Sequence, residues 1–277
     1  MVNQCFFNLT DWIVSDYDKR AFKKVEVFFM NKQQIVLNTL VFNQQHLAGE
    51  SQLNMLQRIV HLGIAQAEVR REFFSDPLKE APAIKDFVRE NHLTLFYSVP
   101  EKIFDSAGTL NPNLPTYFAE AQAMGVHALK MNIGHFAAFT GDLTTALSPY
   151  ANSEVEFNVE NDQTIANGSS QNILTFLTAV NAAGVNIQFV FDLGNWRFVN
   201  EDELVVADKL SEFTRYIHVK NVQLKSSGAA TVVALDRGII DWQQALQKLP
   251  NDVPVALEYP ATTTEIQHGI ALLSDYH

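Results

Sequence analysis

An apolar segment followed by an amphipathic segment recurs along the chain from Gln34 onward, and this alternation constrains the fold more than any other feature. Glycines and capping residues separate short apolar runs from stretches whose apolar residues recur at helical spacing. Such alternation requires a parallel sheet with right-handed crossover helices. The predicted strands are eight in number and span residues 35–42, 67–73, 93–99, 126–133, 155–160, 187–192, 216–221 and 253–258.

Eight strand–helix units favour a closed barrel. A (β/α)₈ TIM barrel usually takes about 250 residues, which is close to the length of the segment 34–277. An open doubly wound sheet is the alternative, but the chain has no glycine-rich phosphate loop of the dinucleotide-binding type. We therefore predict an α/β protein with a TIM barrel at 34–277. Residues 1–33 do not fit the strand count and are predicted to be a short N-terminal extension.

Composition narrows the classes of partner. The net charge of −11 and the absence of a Lys/Arg run argue against a nucleic-acid partner. No apolar stretch approaches the length of a membrane span, and the first residues lack a signal-peptide pattern. Cys5 is the only cysteine, which excludes an intrachain disulfide. We expect a cytoplasmic protein with a small-molecule partner, and the sequence leaves a homodimer open.

Four consecutive predicted strands, the fifth to the eighth, end in a residue that can bind a metal. These residues are Glu160, Asp192, His218 and Glu258. Singly, each has a structural explanation, such as an exposed strand-end carboxylate or a core histidine. Together they would meet at one rim, because neighbouring strands lie about 4.8 Å apart. Three carboxylates and one imidazole suit Mn²⁺, Mg²⁺, Co²⁺ or Zn²⁺, so we predict a divalent metal site.

The segments around these residues resemble a known family. VEFNVEND, FDLGNW, RYIHVKN, GIIDW and VALEYP are similar to the sugar phosphate isomerase/epimerase group of xylose isomerase-like barrels, and the resemblance covers residues 34–277. It implies that Glu160, Asp192, His218 and Glu258 hold one divalent metal. It also implies that Glu160 and Glu258 act as acid and base on the two faces of a sugar substrate.

Two positions depart from the family pattern. Several epimerases of the group have a histidine three residues after the aspartate, where this chain has Asn195. Many members have His-x-Lys-Asp on the seventh strand, where this chain ends the motif with Asn221. Both changes remove an ionisable group from the substrate side. The departures leave metal binding intact but place an ordinary 3-epimerase reaction in doubt.

Further polar residues lie at or near strand ends and are candidate substrate contacts. They are Arg70, Glu72, Lys130, Asn195 and Lys220. For each lysine the alternative is a buried ion pair. Arg70 and Glu72 are two residues apart and therefore point to the same side of their strand.

The leading functional prediction is a metal-dependent isomerase or epimerase that converts a small sugar or keto-sugar through an enediolate. A dehydratase of a keto-sugar or keto-inositol on the same site is the nearest alternative. A class I aldolase with Lys130 or Lys220 as Schiff base and a non-catalytic ligand-binding barrel also stay open. An apurinic endonuclease of the same superfamily is disfavoured by the acidic charge.

Overall fold

The computed structural model describes residues 30–276, so most of the predicted extension at 1–33 lies outside the described residues. The strands are β1 Ile35–Asn38, β2 Gln66–Arg70, β3 Thr94–Phe104, β4 Ala128–Gly134, β5 Glu156–Glu160, β6 Ile187–Asp192, β7 Thr214–Val219, β8 Asn221–Leu224, β9 Ala230–Val233 and β10 Val255–Leu257. Eight of them close a parallel barrel in the order β1-β10-β7-β6-β5-β4-β3-β2. The predicted TIM barrel is confirmed.

Ten α-helices accompany the strands in the described part of the chain. They are α1 Asn43–Leu47, α2 Gln52–His61, α3 Pro77–Glu90, α4 Leu114–Met124, α5 Leu143–Ala151, α6 Ile165–Gly168, α7 Ser170–Ala182, α8 Glu203–Leu210, α9 Trp242–Lys248 and α10 Thr263–Ser274. Local capping residues set several of the helix ends. Asp76 caps α3 before Pro77, and Thr262 and Glu265 form a capping box at α10. Among residues 30–276, no helix is long and apolar enough to cross a membrane.

Strand boundaries differ from the predicted ones where side chains or loops end the sheet. The first strand stops at Asn38 because its side chain accepts a hydrogen bond from the Leu40 amide and starts a 3₁₀ turn. The third strand continues to Phe104, five residues beyond the predicted end at 99, through a register shift against β4. After β7 the chain forms an antiparallel hairpin, β8 with β9, which the sequence analysis did not anticipate.

The barrel interior is divided into an apolar and a polar half. Six inward-facing apolar residues form one cluster in the amino-terminal half: Val36, Phe96, Ala128, Val190, Tyr216 and Ala256. Because alternate residues of a strand face the same side, the inward positions that follow these toward the carboxyl ends are polar. A larger apolar core lies between the barrel and its helices. The apolar cluster thus forms a floor beneath the polar half.

Gly134 is a position where only glycine fits. Its φ is +79°, and a Cβ there would lie 2.0 Å from the carbonyl oxygen of Phe104, its partner across β3 and β4. We expect Gly134→Ala to lower the free energy of unfolding by about 2–4 kcal/mol, since positive φ and a backbone clash add. Gly184 has a similar φ of +68°, and a Cβ added there would meet no other atom of residues 30–276 within 4 Å. Its alanine variant should cost only about 1 kcal/mol. Urea denaturation measures both, and equal losses would contradict the steric argument.

Candidate metal centre

Four adjacent strands of the barrel bring the predicted ligands together. β10, β7, β6 and β5 are neighbours, and Glu160, Asp192, His218 and Glu258 lie at or directly beyond their carboxyl ends. One potential ligand atom from each residue lies within 4.8 Å of all the others, and all four residues are buried. The two glutamates stand at opposite ends of this four-strand arc. The structure therefore brings the four predicted residues together as a group that could hold a metal ion.

The ligand atoms point at one another. His218 Nδ1 lies 2.7 Å from Glu160 Oε1 and 3.3 Å from Glu258 Oε2. Two ligands at neighbouring corners of an octahedral site with bonds of about 2.1 Å would be about 3.0 Å apart. The two spacings around His218 are therefore compatible with neighbouring ligands of a small divalent ion.

Unsatisfied polar atoms support the same fit. Glu160 Oε1, Asp192 Oδ2 and His218 Nδ1 are buried and make no aligned hydrogen bond among the described residues. Glu160 Oε1 and His218 Nδ1 face each other, and Asp192 Oδ2 faces Lys220 Nζ. A buried polar atom without an aligned hydrogen bond costs free energy, so the shared location of the three atoms needs an explanation. A hard or borderline cation bound by oxygen and imidazole nitrogen would satisfy all three.

Asp192 is fixed by hydrogen bonds from two neighbouring turns. Its Oδ1 accepts from the backbone amides of Gly194 and Asn195 at 2.9 and 3.1 Å, which leaves Oδ2 facing the other ligands. The side chain of Asn161 bonds both the amide and the carbonyl of Asp192 at 2.9 Å. Asn195 in turn donates from Nδ2 to the Asn161 carbonyl at 2.7 Å. Asn195 is therefore part of the framework that orients the aspartate.

Both lysines pair with ligand carboxylates. Lys130 Nζ contacts Glu160 Oε2 and lies 3.7 Å from Glu258 Oε1. Lys220 Nζ lies 2.5 Å from Asp192 Oδ2 and 3.1 Å from Glu258 Oε2. Lys220 thus touches the same oxygens that face His218, whereas the oxygen bound by Lys130 points away from the imidazole. The buried ion pair considered from sequence is the arrangement that the structure contains.

Arg70 reaches the site, but Glu72 stays at its rim. Arg70 Nη1 lies 2.7 Å from Glu258 Oε1, and its Nε lies 2.6 Å from Glu72 Oε1. The Glu72 side chain is 37% exposed and makes no described contact with a ligand residue. Arg71 points elsewhere, because it forms a bidentate pair with Glu120, which also accepts from Tyr97. Arg71 therefore packs the barrel against α4.

Sequence reasoning missed several residues of the site. Glu68 of β2 is fully buried, and its Oε2 accepts from the Tyr216 hydroxyl at 2.6 Å and lies 2.7 Å from His218 Nε2. Asn38 donates to Glu258 Oε1 at 3.2 Å. The available signal for Glu68 was alternation, since it shares a strand face with Arg70. Glu68 lies in the middle of its strand, whereas the predicted site residues lie at or near strand ends.

Charges around the cluster set the protonation of its members. Burial acts to raise the pKa of Glu258, but Lys220, Lys130 and His218 outweigh it and hold that pKa well below its usual value. The pKa of Glu160 is lowered in the same way by Lys130 and His218. Burial raises the pKa of Asp192 to about 7 despite Lys220. Both glutamates are therefore ionised at neutral pH.

Comparison with known proteins identifies the fold class. No protein-family model and no curated protein sequence matches the chain. Among solved structures, it is similar to the probable 3-DHS dehydratase AsbF of petrobactin synthesis from Bacillus anthracis, with a TM-score of 0.68 and 13% identity over 88% of this chain and 100% of that one. It is also similar to the IolI protein with a bound zinc atom, with a TM-score of 0.62 and 12% identity over 88% and 99% of the two chains.

A third similar structure is the D-psicose 3-epimerase of Clostridium cellulolyticum H10 with D-tagatose, at a TM-score of 0.55 and 13% identity over 88% of this chain and 97% of that one. At these identities the similarity shows the fold. The chain therefore shares the TIM-barrel fold of these structures.

Asn161 offers a test of how the site is held in place. Asn161→Ala would leave the buried amide and carbonyl of Asp192 without partners, so we expect the free energy of unfolding to fall by about 2–3 kcal/mol. Asn172 is the matched control, because it is exposed and donates only at 3.4 Å. Asn172→Ala should change stability by less than about 0.5 kcal/mol. Denaturant titration of both variants checks the difference, and similar losses would show that Asn161 has no special role.

Proposed function

We propose that the chain is an enzyme, a divalent-metal-dependent isomerase or epimerase that acts on a small sugar or keto-sugar through an enediolate. The buried set of three carboxylates and one imidazole, with ligand atoms within 4.8 Å of one another, carries this proposal. Its position at the carboxyl ends of the barrel strands supports it, because TIM-barrel enzymes have their active sites there. The similar epimerase and isomerase-type structures support it further.

Glu160, Asp192, His218 and Glu258 would hold the metal, for which Mn²⁺, Mg²⁺, Co²⁺ and Zn²⁺ are the candidates. The zinc in the IolI structure is consistent with such a site in this fold. When bound, the ion would act as a Lewis acid that stabilises the negative charge of an enediolate. Asp192 and His218 would contribute to binding alone, since their other polar atoms are used by the protein.

Glu160 and Glu258 are the proposed acid and base. They stand at opposite ends of the arc of ligands, so they would approach a substrate from different sides. One glutamate would take a proton from the carbon beside the carbonyl, and the other would return a proton to the opposite face. Because the surrounding cations lower the pKa of both glutamates, either one could act as the base. The glutamate that acts as the acid would first have to take up a proton from solvent before it returns one to the substrate.

The substrate would meet a mixed set of polar side chains. Arg70, Lys130 and Lys220 lie around Glu258 and could donate hydrogen bonds to carbonyl and hydroxyl oxygens. Glu72 at the rim could accept from a hydroxyl, and Asn195 Oδ1 has no hydrogen-bond partner among the described residues. This set suits a small polyhydroxylated molecule. A cytoplasmic location and a homodimer stay predictions.

A dehydratase is the second candidate function. Two observations favour it: the similarity to a probable dehydratase, and Asn195, whose amide cannot exchange a proton at the position where several epimerases have histidine. Loss of water β to a carbonyl begins with the same proton abstraction, so the same glutamate could serve both reactions. The difference would lie in whether a hydroxyl leaves.

The aldolase alternative is disfavoured by the state of the lysines. A Schiff base requires a neutral amine, and both lysines are paired with carboxylates. Burial would lower the pKa of Lys130, but Glu160 and Glu258 outweigh it and raise that pKa above its usual value. A non-catalytic barrel would bind sugar without proton exchange, which the next experiment detects.

Metal content and proton exchange test the proposal. We expect purified wild type to bind a divalent ion and to exchange deuterium from D₂O into a keto-sugar, or to dehydrate a keto-inositol with formation of an enone. Glu160→Gln and Glu258→Gln should lower the rate by about 10²-fold or more. Mass spectrometry of the metal, NMR of exchange and ultraviolet absorbance of the enone are the measurements.

The matched control is Glu156→Gln, because Glu156 is exposed near the amino end of β5. It should behave as wild type. A wild-type protein that binds no divalent ion and exchanges no proton would overturn the proposed function.

Lys220 provides a separate prediction about metal affinity. Its ammonium lies 2.5 and 3.1 Å from two oxygens that would bind the ion, so it competes with the ion for their charge. We expect Lys220→Met to tighten Mn²⁺ binding by about tenfold, a change of about 1.4 kcal/mol. Lys130→Met should have a smaller effect, because Lys130 pairs with the outward oxygen of Glu160. Isothermal titration calorimetry measures the Mn²⁺ affinity of both variants. A larger gain for Lys130→Met than for Lys220→Met would contradict the competition between Lys220 and the ion.

A further inference from the structure

Glu68 is a buried acid that the proposed reaction does not use. It lies on β2, three strands away from β7 in the barrel order, and reaches across the interior to Tyr216 and His218. Its side chain is completely buried. A buried carboxylate is costly unless it is paired and hydrogen-bonded. The buried position of Glu68 beside the His218 imidazole therefore needs a physical explanation.

The partners of Glu68 compensate the negative charge of its carboxylate only weakly. Among residues 30–276, the one ion pair that it forms is with His218 Nε2, and no lysine or arginine lies within ion-pair distance. Its Oε2 takes both contacts, while Oε1 has no described hydrogen-bond partner. Glu160 and Glu258, in contrast, each contact a lysine. General charge compensation does not account for Glu68.

The geometry gives Glu68 a directional role. An imidazole ring that donates Nε2–H to a carboxylate leaves the Nδ1 lone pair free, and this is the form that binds a metal. Nδ1 of His218 faces Glu160 and Glu258. We propose that Glu68 is a positioning residue that fixes the ring and tautomer of His218 so that Nδ1 points into the metal centre. This inference rests on the proposed metal-dependent function.

The floor of the barrel supports this arrangement. The Tyr216 ring meets the His218 ring edge to face at 4.7 Å and stacks on Phe96 with centroids 4.7 Å apart. Tyr216 thus packs beneath the imidazole while its hydroxyl holds the same oxygen of Glu68 that contacts His218. Glu68 is therefore held in part from the apolar floor, through the Tyr216 hydroxyl.

Zinc titration of folded variants tests the role. Glu68→Leu removes the acceptor at similar volume, and we expect a 10–100-fold loss of Zn²⁺ affinity by calorimetry. Glu68→Gln keeps an oxygen that accepts from Nε2–H, so it should stay within about threefold of wild type. Glu68→Asp keeps the charge but is one methylene shorter, and it should lose about tenfold. Glu156→Gln is the control and should bind as wild type does.

A second measurement reports the protonation and metal binding of the two His218 ring nitrogens. In the zinc-loaded wild type, ¹⁵N NMR of His218 should show a protonated Nε2 and a metal-bound Nδ1, and Glu68→Leu should lose this pattern. If Glu68→Leu does not fold, the contrast between the Asp and Gln variants decides the question. Equal zinc affinity and unchanged His218 signals in the folded variants would overturn the inference and leave the proposed function standing. A wild type that binds no metal would instead overturn the proposed function, and the inference with it.

Discussion

The structure of the site depends on the neutralisation of buried carboxylates inside a closed barrel. Glu68, Glu160, Asp192 and Glu258 are all buried at the polar half of the interior. Buried charges are costly unless they are paired and hydrogen-bonded. Arg70, Lys130 and Lys220 pair with Glu258, Glu160 and Asp192, and Glu68 contacts the Tyr216 hydroxyl and the His218 ring. Because each contact joins residues far apart in the chain, the network forms only once the barrel has closed.

The barrel holds this charged network apart from the apolar cluster of its interior, because the two occupy different halves along the barrel axis. The apolar floor around Phe96 and Tyr216 fills the amino-terminal half, and the helices pack on the outward-facing residues. Stability therefore does not depend on the charged half alone. In the charged half Glu160 and Asp192 each have one oxygen paired away from His218, and their second oxygens, Glu160 Oε1 and Asp192 Oδ2, lie beside His218 Nδ1 and Lys220 Nζ.

The fold and the clustering of the four candidate ligands could be predicted from sequence because both follow local patterns. The periodicity of the strands and helices predicts eight strand–helix units. Asp192 is conspicuous because it is a carboxylate at the end of a strand that is otherwise apolar. Glu68 could not be found in this way, since its meaning lies in a contact with His218, 150 residues away. The β8–β9 hairpin was missed for a related reason. Its strands lie outside the barrel, so the strand–helix alternation contains no signal for them.

The same geometry explains why it defines the proposed metal site better than the proposed reaction. Metal binding needs ligand atoms at fixed separations, and the rigid strands provide them. The reaction also depends on groups that move protons on the substrate side. There Asn195 is occupied in holding Asn161, and Lys220 shares its charge between Asp192 and Glu258. Under the proposed function, an ion bound by the cluster would take over part of the charge that Lys220 now neutralises. This would weaken the pairing of Lys220 and leave its ammonium freer to bind a substrate oxygen, so metal loading and substrate binding would be coupled through this one side chain.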